Sequence, residues 1–143
     1  MDDVIPLMIS TWLSGAPADH TPSAAVALRL ATTCREDSAS AITEAVTELV
    51  HAFHARNDAG PDSIRLVIFT ATSDLKAAKP AAAARAAGWA KAQYLCLAEM
   101  PTVDDLPRCI RALLIVDRGR GADALRSVYL NGAQALRPDV SFA

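Results

Sequence analysis

The chain has 143 residues, of which 52% are hydrophobic and 21% charged, and its formal net charge is -2. This composition is ordinary for a single soluble domain, and the length is sufficient to bury a core. The balanced charge, without runs of one sign, argues against binding to nucleic acid or to a membrane surface through a basic patch. No apolar stretch approaches the ~20 residues that a membrane-spanning helix needs.

The first part of the chain differs from the rest in its composition. Residues 1–23 contain three prolines and one glycine and show no clean hydrophobic period. We therefore predict a loosely packed N-terminal arm over 1–23, followed by a single domain over 24–143. A contact between subunits through Ile9, Trp12 and Leu13 is the alternative role for this arm.

Two features of the sequence bear on the compartment. The chain begins with Asp2 and Asp3 before an apolar stretch, whereas a secretory signal peptide begins with positive charge. Cys34, Cys96 and Cys109 form no CxxC pair and leave one cysteine over. We predict a cytoplasmic protein with free thiols.

The first half of the domain alternates strand and helix patterns. Residues 25–33 alternate as in a strand, with Leu28 and Leu30 on one face and Arg29 on the other. Residues 37–57 have the apolar spacing of an amphipathic helix that Asp37 or Ser38 can cap. The apolar positions of that helix are Ile42, Val46, Leu49 and Phe53.

A break at GPDS then precedes a β-branched strand over residues 64–71. The alanine-rich segment 79–90 predicts a helix, with Pro80 in its first turn and Gly88 at its C-terminal end. The apolar run 94–101, which contains Glu99, predicts the next strand.

The last third of the chain completes the sheet. Residues 108–117 alternate as a strand and 118–122 (RGRGA) predict a loop. We predict a short helix over 123–130 and a last strand or extended tail over 132–138. The order of elements indicates an α/β (α+β) domain, a mixed sheet with helices packed on it.

Ordinary catalytic motifs are missing from the sequence. No glycine-rich loop fits a phosphate or dinucleotide, and no G-x-S-x-G elbow is present, so no cofactor is predicted. His51 and His54 could share a metal but lack a third ligand, and we interpret them as a solvated helix flank with no metal site. Cys96 has no histidine near it in sequence, so a buried thiol is the simpler interpretation than a nucleophile.

Charged residues inside apolar strands are the most informative feature. Arg29, Glu99 and Arg111 each interrupt a strand pattern. Each alone fits a solvated face or a buried arginine–glutamate pair, because a buried carboxylate needs a partner. Together they indicate a polar pocket for a small anion, since the planar guanidinium binds carboxylates through two donors.

Five blocks of the chain carry a family resemblance. They are RLATTCRED, FTATSDLKAAKPAAAARAAGW, LCLAEM, LPRCIRALL and VYLNGAQALRPD. These blocks resemble the AroH-type monofunctional chorismate mutases and come in the family order. The first is similar to the family pattern R-G-A-T-T-x-x-x-D and the second to T-x-T-x-D-L-x-A-x-F-P-A-x-A-x-R. The resemblance extends over about residues 26–139.

The resemblance implies a fold and a reaction. It implies a homotrimer of pseudo α/β-barrel subunits, with active sites in the clefts between neighbouring subunits. The implied reaction is the Claisen rearrangement of chorismate to prephenate, an isomerisation in aromatic amino acid biosynthesis. This pericyclic step needs no nucleophile, metal, cofactor or proton transfer, which agrees with the missing motifs. An enzyme can accelerate it by holding the substrate folded and by stabilising the separating charge.

The resemblance also assigns roles to residues. Arg111 matches the arginine that donates to the ether oxygen, and Glu99 matches the carboxylate that accepts from the ring hydroxyl. Arg29 and Tyr129 match groups that hold the substrate carboxylates. The remaining matches are Cys96 beside the hydroxyl, Arg85 at the entrance, and Leu136 and Arg137 in the tail that covers the site.

Three positions depart from the family pattern. Leu30 replaces a glycine, which could crowd the cleft or shift Arg29. Lys79 replaces a phenylalanine of the apolar wall, where it could turn to solvent or bind a substrate carboxylate, and Ala82 lacks a basic residue. Two alternatives to chorismate mutase therefore stay open: a paralogue acting on a related dicarboxylate, and a non-catalytic trimer that binds a small carboxylate.

Overall fold

A computed structural model describes residues 25–118 and 124–139. The predicted arm over 1–23 and most of the 118–122 loop lie outside these described residues. Within them, no helix combines the length and the apolar character needed to span a bilayer.

The described residues form one mixed sheet of five strands with two α-helices. The strands run in the order β3-β2-β4-β1-β5 across the sheet. Strand β4 pairs antiparallel with β1 and β2, while β2/β3 and β1/β5 are parallel. The elements are β1 Ala25–Thr33, α1 Ala39–Arg56, β2 Ile64–Ala71, α2 Pro80–Ala87, β3 Gln93–Ala98, β4 Cys109–Asp117 and β5 Val128–Tyr129, with 3₁₀ turns at Pro61–Ser63 and Asn131–Leu136. The predicted mixed α/β sheet is confirmed.

One face of the sheet carries the core. Leu30 on β1 lies opposite Ala112 on β4, and Phe69 on β2 lies opposite the same alanine. These side chains are buried beneath α1 and α2 together with Trp89. We call this side the helix face.

Of the two residues predicted to cap the start of α1, Asp37 and Ser38, the structure shows Ser38 in that role. Ser38 Oγ accepts a hydrogen bond from Ala41 N at 3.1 Å. Asp37 instead accepts from the backbone N–H groups of Lys76 and Ala77, both at 2.9 Å. Asp37 therefore ties the loop before α2 to the start of α1.

The opposite face has no helix over it among the described residues. Leu95 and Leu97 of β3 are 53% and 47% exposed, and Leu113 of β4 is 40% exposed. Their cross-strand partners on β1 and β2 are Arg29, Ile68 and Thr70. We call this side the open face.

Two predictions for the C-terminal segment are wrong. The described part of the predicted helix over 123–130 is irregular up to the short strand Val128–Tyr129, and 131–136 is a 3₁₀ turn rather than a strand. Parallel pairing with β1 buries Val128 and Tyr129, which outweighs the local helical preference of the preceding residues. Asn131, at a positive φ of 54°, then turns the chain out of the sheet.

His54 is not part of a solvated flank. Trp89 Nε1 donates to its Nε2 at 2.8 Å, so the ring hydrogen lies on Nδ1, which donates to Ala59 O at 2.8 Å. The ring therefore joins α1 to the segment after α2. His51, by contrast, is exposed as expected.

The start of β4 is held by a group of hydrogen bonds from the segment after β2. Thr72 Oγ1 accepts from Cys109 N at 2.9 Å and donates to Asp74 Oδ1. The other Asp74 oxygen accepts from Arg108 N at 2.9 Å. The hydrogen bond from Thr72 holds the pKa of the Asp74 carboxyl below its ordinary 3.8.

Asp74→Ala should destabilise the protein in a pH-dependent way. Because the folded pKa is depressed, the carboxylate stabilises the fold above its unfolded pKa and ceases to do so as the pH falls through the folded value. We expect a loss of about 1 kcal/mol in the free energy of unfolding near neutral pH, modest because Asp74 is exposed.

Urea unfolding at about pH 7 and about pH 2.5 measures this difference between wild type and variant. The difference in the free energy of unfolding between wild type and variant should be smaller at the lower pH. Asp58→Ala is the matched control, since this exposed carboxylate makes no hydrogen bond within residues 25–118 and 124–139. A loss that is equal at both pH values would refute the role assigned to the charge.

Candidate active site

The centre of the candidate site is the pair formed by Glu99 and Arg111. Glu99 directly follows β3, and its N–H donates to Ala71 O at 2.9 Å, which extends the β2/β3 pairing by one step. Its Oε2 lies 3.3 Å from Arg111 Nε, and its Oε1 accepts a hydrogen bond from Thr70 Oγ1. Glu99 is 16% exposed and Arg111 39%. A carboxylate in an apolar strand region is thus matched by a cation, as the sequence required.

The register of the sheet places these groups in one row. Thr70 of β2 and Ala31 of β1 are the two cross-strand partners of Arg111 on β4. Tyr129 on β5 is the partner of Ala31 on its other side. Since partners in register share a face, all of them point to the open face.

A cleft of about 120 Å³ lies over this row. Arg29 and Arg111 line it from β1 and β4, and Tyr129 lines it from β5. The Arg29 side chain makes no hydrogen bond or ion pair with residues 25–118 or 124–139. The cleft is therefore cationic and suits a small dianion.

The C-terminal turn closes one side of the cleft. Leu136 packs with Tyr129 and Ala133 over the end of β1. The Arg137 guanidinium lies 5.8 Å from the centre of the Tyr129 ring and binds both carboxylate oxygens of Asp139, at 3.0 and 2.9 Å. These contacts, that with Asp139 first, raise the pKa of Arg137, so a third guanidinium at the cleft is always charged.

A buried thiol lies near the ion pair. Cys109 is two residues before Arg111, on the same face of β4, and is fully buried. Burial raises the pKa of the Cys109 thiol, and the charge of Arg111 only partly opposes this. Cys109 is therefore a neutral wall of the site rather than a thiolate nucleophile.

Three predicted site residues lie apart from this cleft. The Arg85 guanidinium on α2 lies 4.7 Å from the centre of the Tyr94 ring, and Cys96 packs against the core of the helix face. Cys96 is on β3, two strands from Arg111, which is about 10 Å across the sheet and on its opposite face. Lys79 is exposed at the start of α2. None of these three residues lines the cleft.

The departures from the family pattern have structural explanations. Leu30 is among the residues that line the cleft, but its side chain points to the helix face and is buried in the core, so the side chain does not fill the cleft. The large leucine faces the small Ala112 on β4, a complementary pair of volumes. Lys79 turns to solvent, and Ala82 is likewise exposed on α2.

A larger cleft, of about 490 Å³, lies beside the first turns of α1. Its charged side chains each have a polar partner: Arg35 Nε lies 3.1 Å from Glu44 Oε1, Glu48 accepts from Asn131 Nδ2 at 3.0 Å, and Arg108 Nε donates to Cys34 O at 2.9 Å. The smaller cleft differs in holding Arg29, whose side chain has no partner among the described residues.

Sequence reasoning missed Thr70 and Cys109 as parts of the site. Thr70 is the first threonine of the T-x-T-x-D pattern and a polar residue at the end of an apolar strand. A polar side chain at that position was the one sequence feature that could have indicated a role at the site. Its contact with Glu99 depends on the β2/β3 register, which the sequence alone does not give.

The fold and the cleft define a class: a mixed α/β protein with an arginine-lined cleft, in which the described residues offer no activated nucleophile. The sequence profile of chorismate mutase type I matches residues 25–140. The chain therefore belongs to the type I chorismate mutase family.

Individual relatives agree with this assignment. The chain is 38% identical to chorismate mutase AroH of Thermus thermophilus, over 81% of this chain and 96% of that protein. It is 33% identical to chorismate mutase AroH of Bacillus subtilis, over 80% of this chain and 91% of that protein. A solved chorismate mutase from Clostridium thermocellum matches with a TM-score of 0.71 and 35% identity, covering 77% of this chain and 98% of that one.

Leu30→Ala tests whether the leucine serves the core rather than the cleft. We expect the free energy of unfolding to fall by about 3 kcal/mol, because a cavity opens beneath the helices. Turnover per folded molecule should stay within about threefold of wild type, since the side chain points away from the site. Leu30→Met is the control that keeps the volume. A large loss of turnover without loss of stability would contradict this interpretation.

Proposed function

We propose that this protein catalyses the rearrangement of chorismate to prephenate with the open-face cleft as its catalytic half-site. The observation that carries the proposal is the group of three arginines that line the cleft: Arg29, Arg137 and Arg111, the last of which is paired with Glu99. Membership of the chorismate mutase family over nearly the whole domain supports the reaction. The same membership disfavours the paralogue and the non-catalytic trimer.

The mechanism follows from what this reaction lacks. No group is transferred, so the protein contributes by holding the folded substrate and by stabilising charge in the transition state. Arg29 and Tyr129 bind the two carboxylates. Arg111 donates to the ether oxygen as negative charge grows there, and Glu99 accepts from the ring hydroxyl. The neutral Cys109 thiol takes no part in the chemistry.

The proposal includes a homotrimer with shared sites. Arg85, Cys96 and Lys79 lie on the far side of the sheet from Arg111, so they can reach its cleft only from a second copy of the chain. The exposed leucines of the open face are an apolar surface that a neighbouring copy would cover. A head-to-tail ring of this kind closes with three copies and gives three equivalent sites.

We also place the protein in the cytoplasm, in aromatic amino acid biosynthesis. Its three cysteines are all free, which suits a reducing compartment.

Arg111→Ala should lower kcat by about 100-fold or more, because it removes the donor at the developing oxyanion. The loss of the ultraviolet absorbance of chorismate measures turnover. Arg56→Ala, at the end of α1 and away from the cleft, is the control and should keep wild-type activity. Full turnover by a folded Arg111→Ala protein would rule out the proposed mechanism.

A mixture of two inactive variants tests the shared site. If Arg111 and Arg85 of one active site come from different copies, refolding Arg111→Ala together with Arg85→Ala creates some sites with both arginines. Random assembly should restore about a quarter of wild-type activity per site, compared with almost none for either variant alone. Size-exclusion chromatography checks the trimer. No recovery from well-assembled mixed trimers would contradict shared sites.

A further inference from the structure

We propose that Thr70 is a positioning residue that orients Glu99, and through it Arg111, for the rearrangement. The inference rests on the proposed function of the cleft. It assigns a role to Thr70, a residue to which the proposed mechanism gives none. Thr70 itself does not touch the reacting atoms.

The geometry gives Glu99 two partners on different strands. Thr70 Oγ1 donates to Oε1, while Oε2 lies 3.3 Å from Arg111 Nε. A hydroxyl that donates to a carboxylate makes a charge-assisted bond, which is strong and directional. The contact with Arg111 Nε is an ion pair that is not aligned as a hydrogen bond, so the bond from Thr70 is the one directional contact that orients the carboxylate.

Strand β2 fixes both ends of the Glu99 residue. Its backbone N–H is bound to Ala71 O and its carboxylate is bound to Thr70, the preceding residue of the same strand. Without the hydroxyl, the carboxylate keeps only its pairing with Arg111, and the two side chains can rotate together. The arginine would then lose part of its preorganisation towards the ether oxygen.

Most neighbours of Thr70 on its face of the sheet are apolar. Leu66 and Ile68 lie along the same strand and Leu97 is the β3 partner, while the β4 partner is Arg111, which is itself paired with Glu99. A valine of the same shape would suit the strand equally well. The hydroxyl is therefore explained by Glu99, which is its hydrogen-bond partner.

Thr70→Val is the test, with Thr70→Ser as the rescue. We expect Thr70→Val to lower kcat by about tenfold with KM within about threefold, because the loss falls on the transition state. Thr70→Ser, which keeps the hydroxyl, should retain at least about half of the wild-type kcat. Thr43→Val, an exposed threonine of α1, controls for the loss of a hydroxyl elsewhere.

A double-mutant cycle with Glu99→Ala separates positioning from a purely structural effect. If Thr70 acts through Glu99, Thr70→Val should cause no further loss of kcat in the Glu99→Ala background. Wild-type kcat in Thr70→Val, or an equal loss in both backgrounds, would overturn the inference.

The same four proteins also distinguish failure of this inference from failure of the proposed function. Their urea midpoints measure the coupling between Thr70 and Glu99 without any substrate. Coupled midpoints with no chorismate turnover by wild type would refute the proposed function and, with it, any catalytic role for Thr70. Turnover by wild type with uncoupled midpoints and uncoupled kcat would refute the positioning role alone.

Discussion

The pairing of Glu99 with Arg111 is the constraint on which the rest of the site depends. A carboxylate that is mostly removed from water needs a cation and a hydrogen-bond donor, or its burial destabilises the protein. Arg111 on the central strand and Thr70 on its neighbour supply both. Meeting this requirement joins the end of β3 to the middle of the sheet, and the same contacts leave a charged arginine at the cleft.

The two faces of the sheet differ in burial and in function. The helix face buries Leu30, Phe69 and Trp89 and provides stability. The open face carries the arginines of the cleft among exposed leucines. This division explains why leucine can stand at position 30, where the family pattern has glycine, without its side chain entering the cleft.

Hydrophobic alternation predicted the bounds of β1, β2 and β4 closely, because each of these strands has one buried face and one less buried face. β1 and β2 have the predicted bounds, residues 25–33 and 64–71. That Arg29 and Arg111 share a face follows from the register of β1 with β4, which the pattern did not give. The pattern failed at Val128 and Tyr129, where pairing with β1 outweighs local preference. It could not give the contact of Thr70 with Glu99, which depends on register between strands. The roles at the site came from resemblance rather than from periodicity.

The separation of Arg85 and Cys96 from Arg111 has a consequence for evolution within the family. If sites form between copies, selection acts jointly on residues that never meet within one chain. Related sequences should then show correlated changes between α2 or β3 and the β1–β4 row that no intrachain distance explains. Leu30 and Ala112 should give the opposite signature, a correlated exchange of volumes that direct contact accounts for fully.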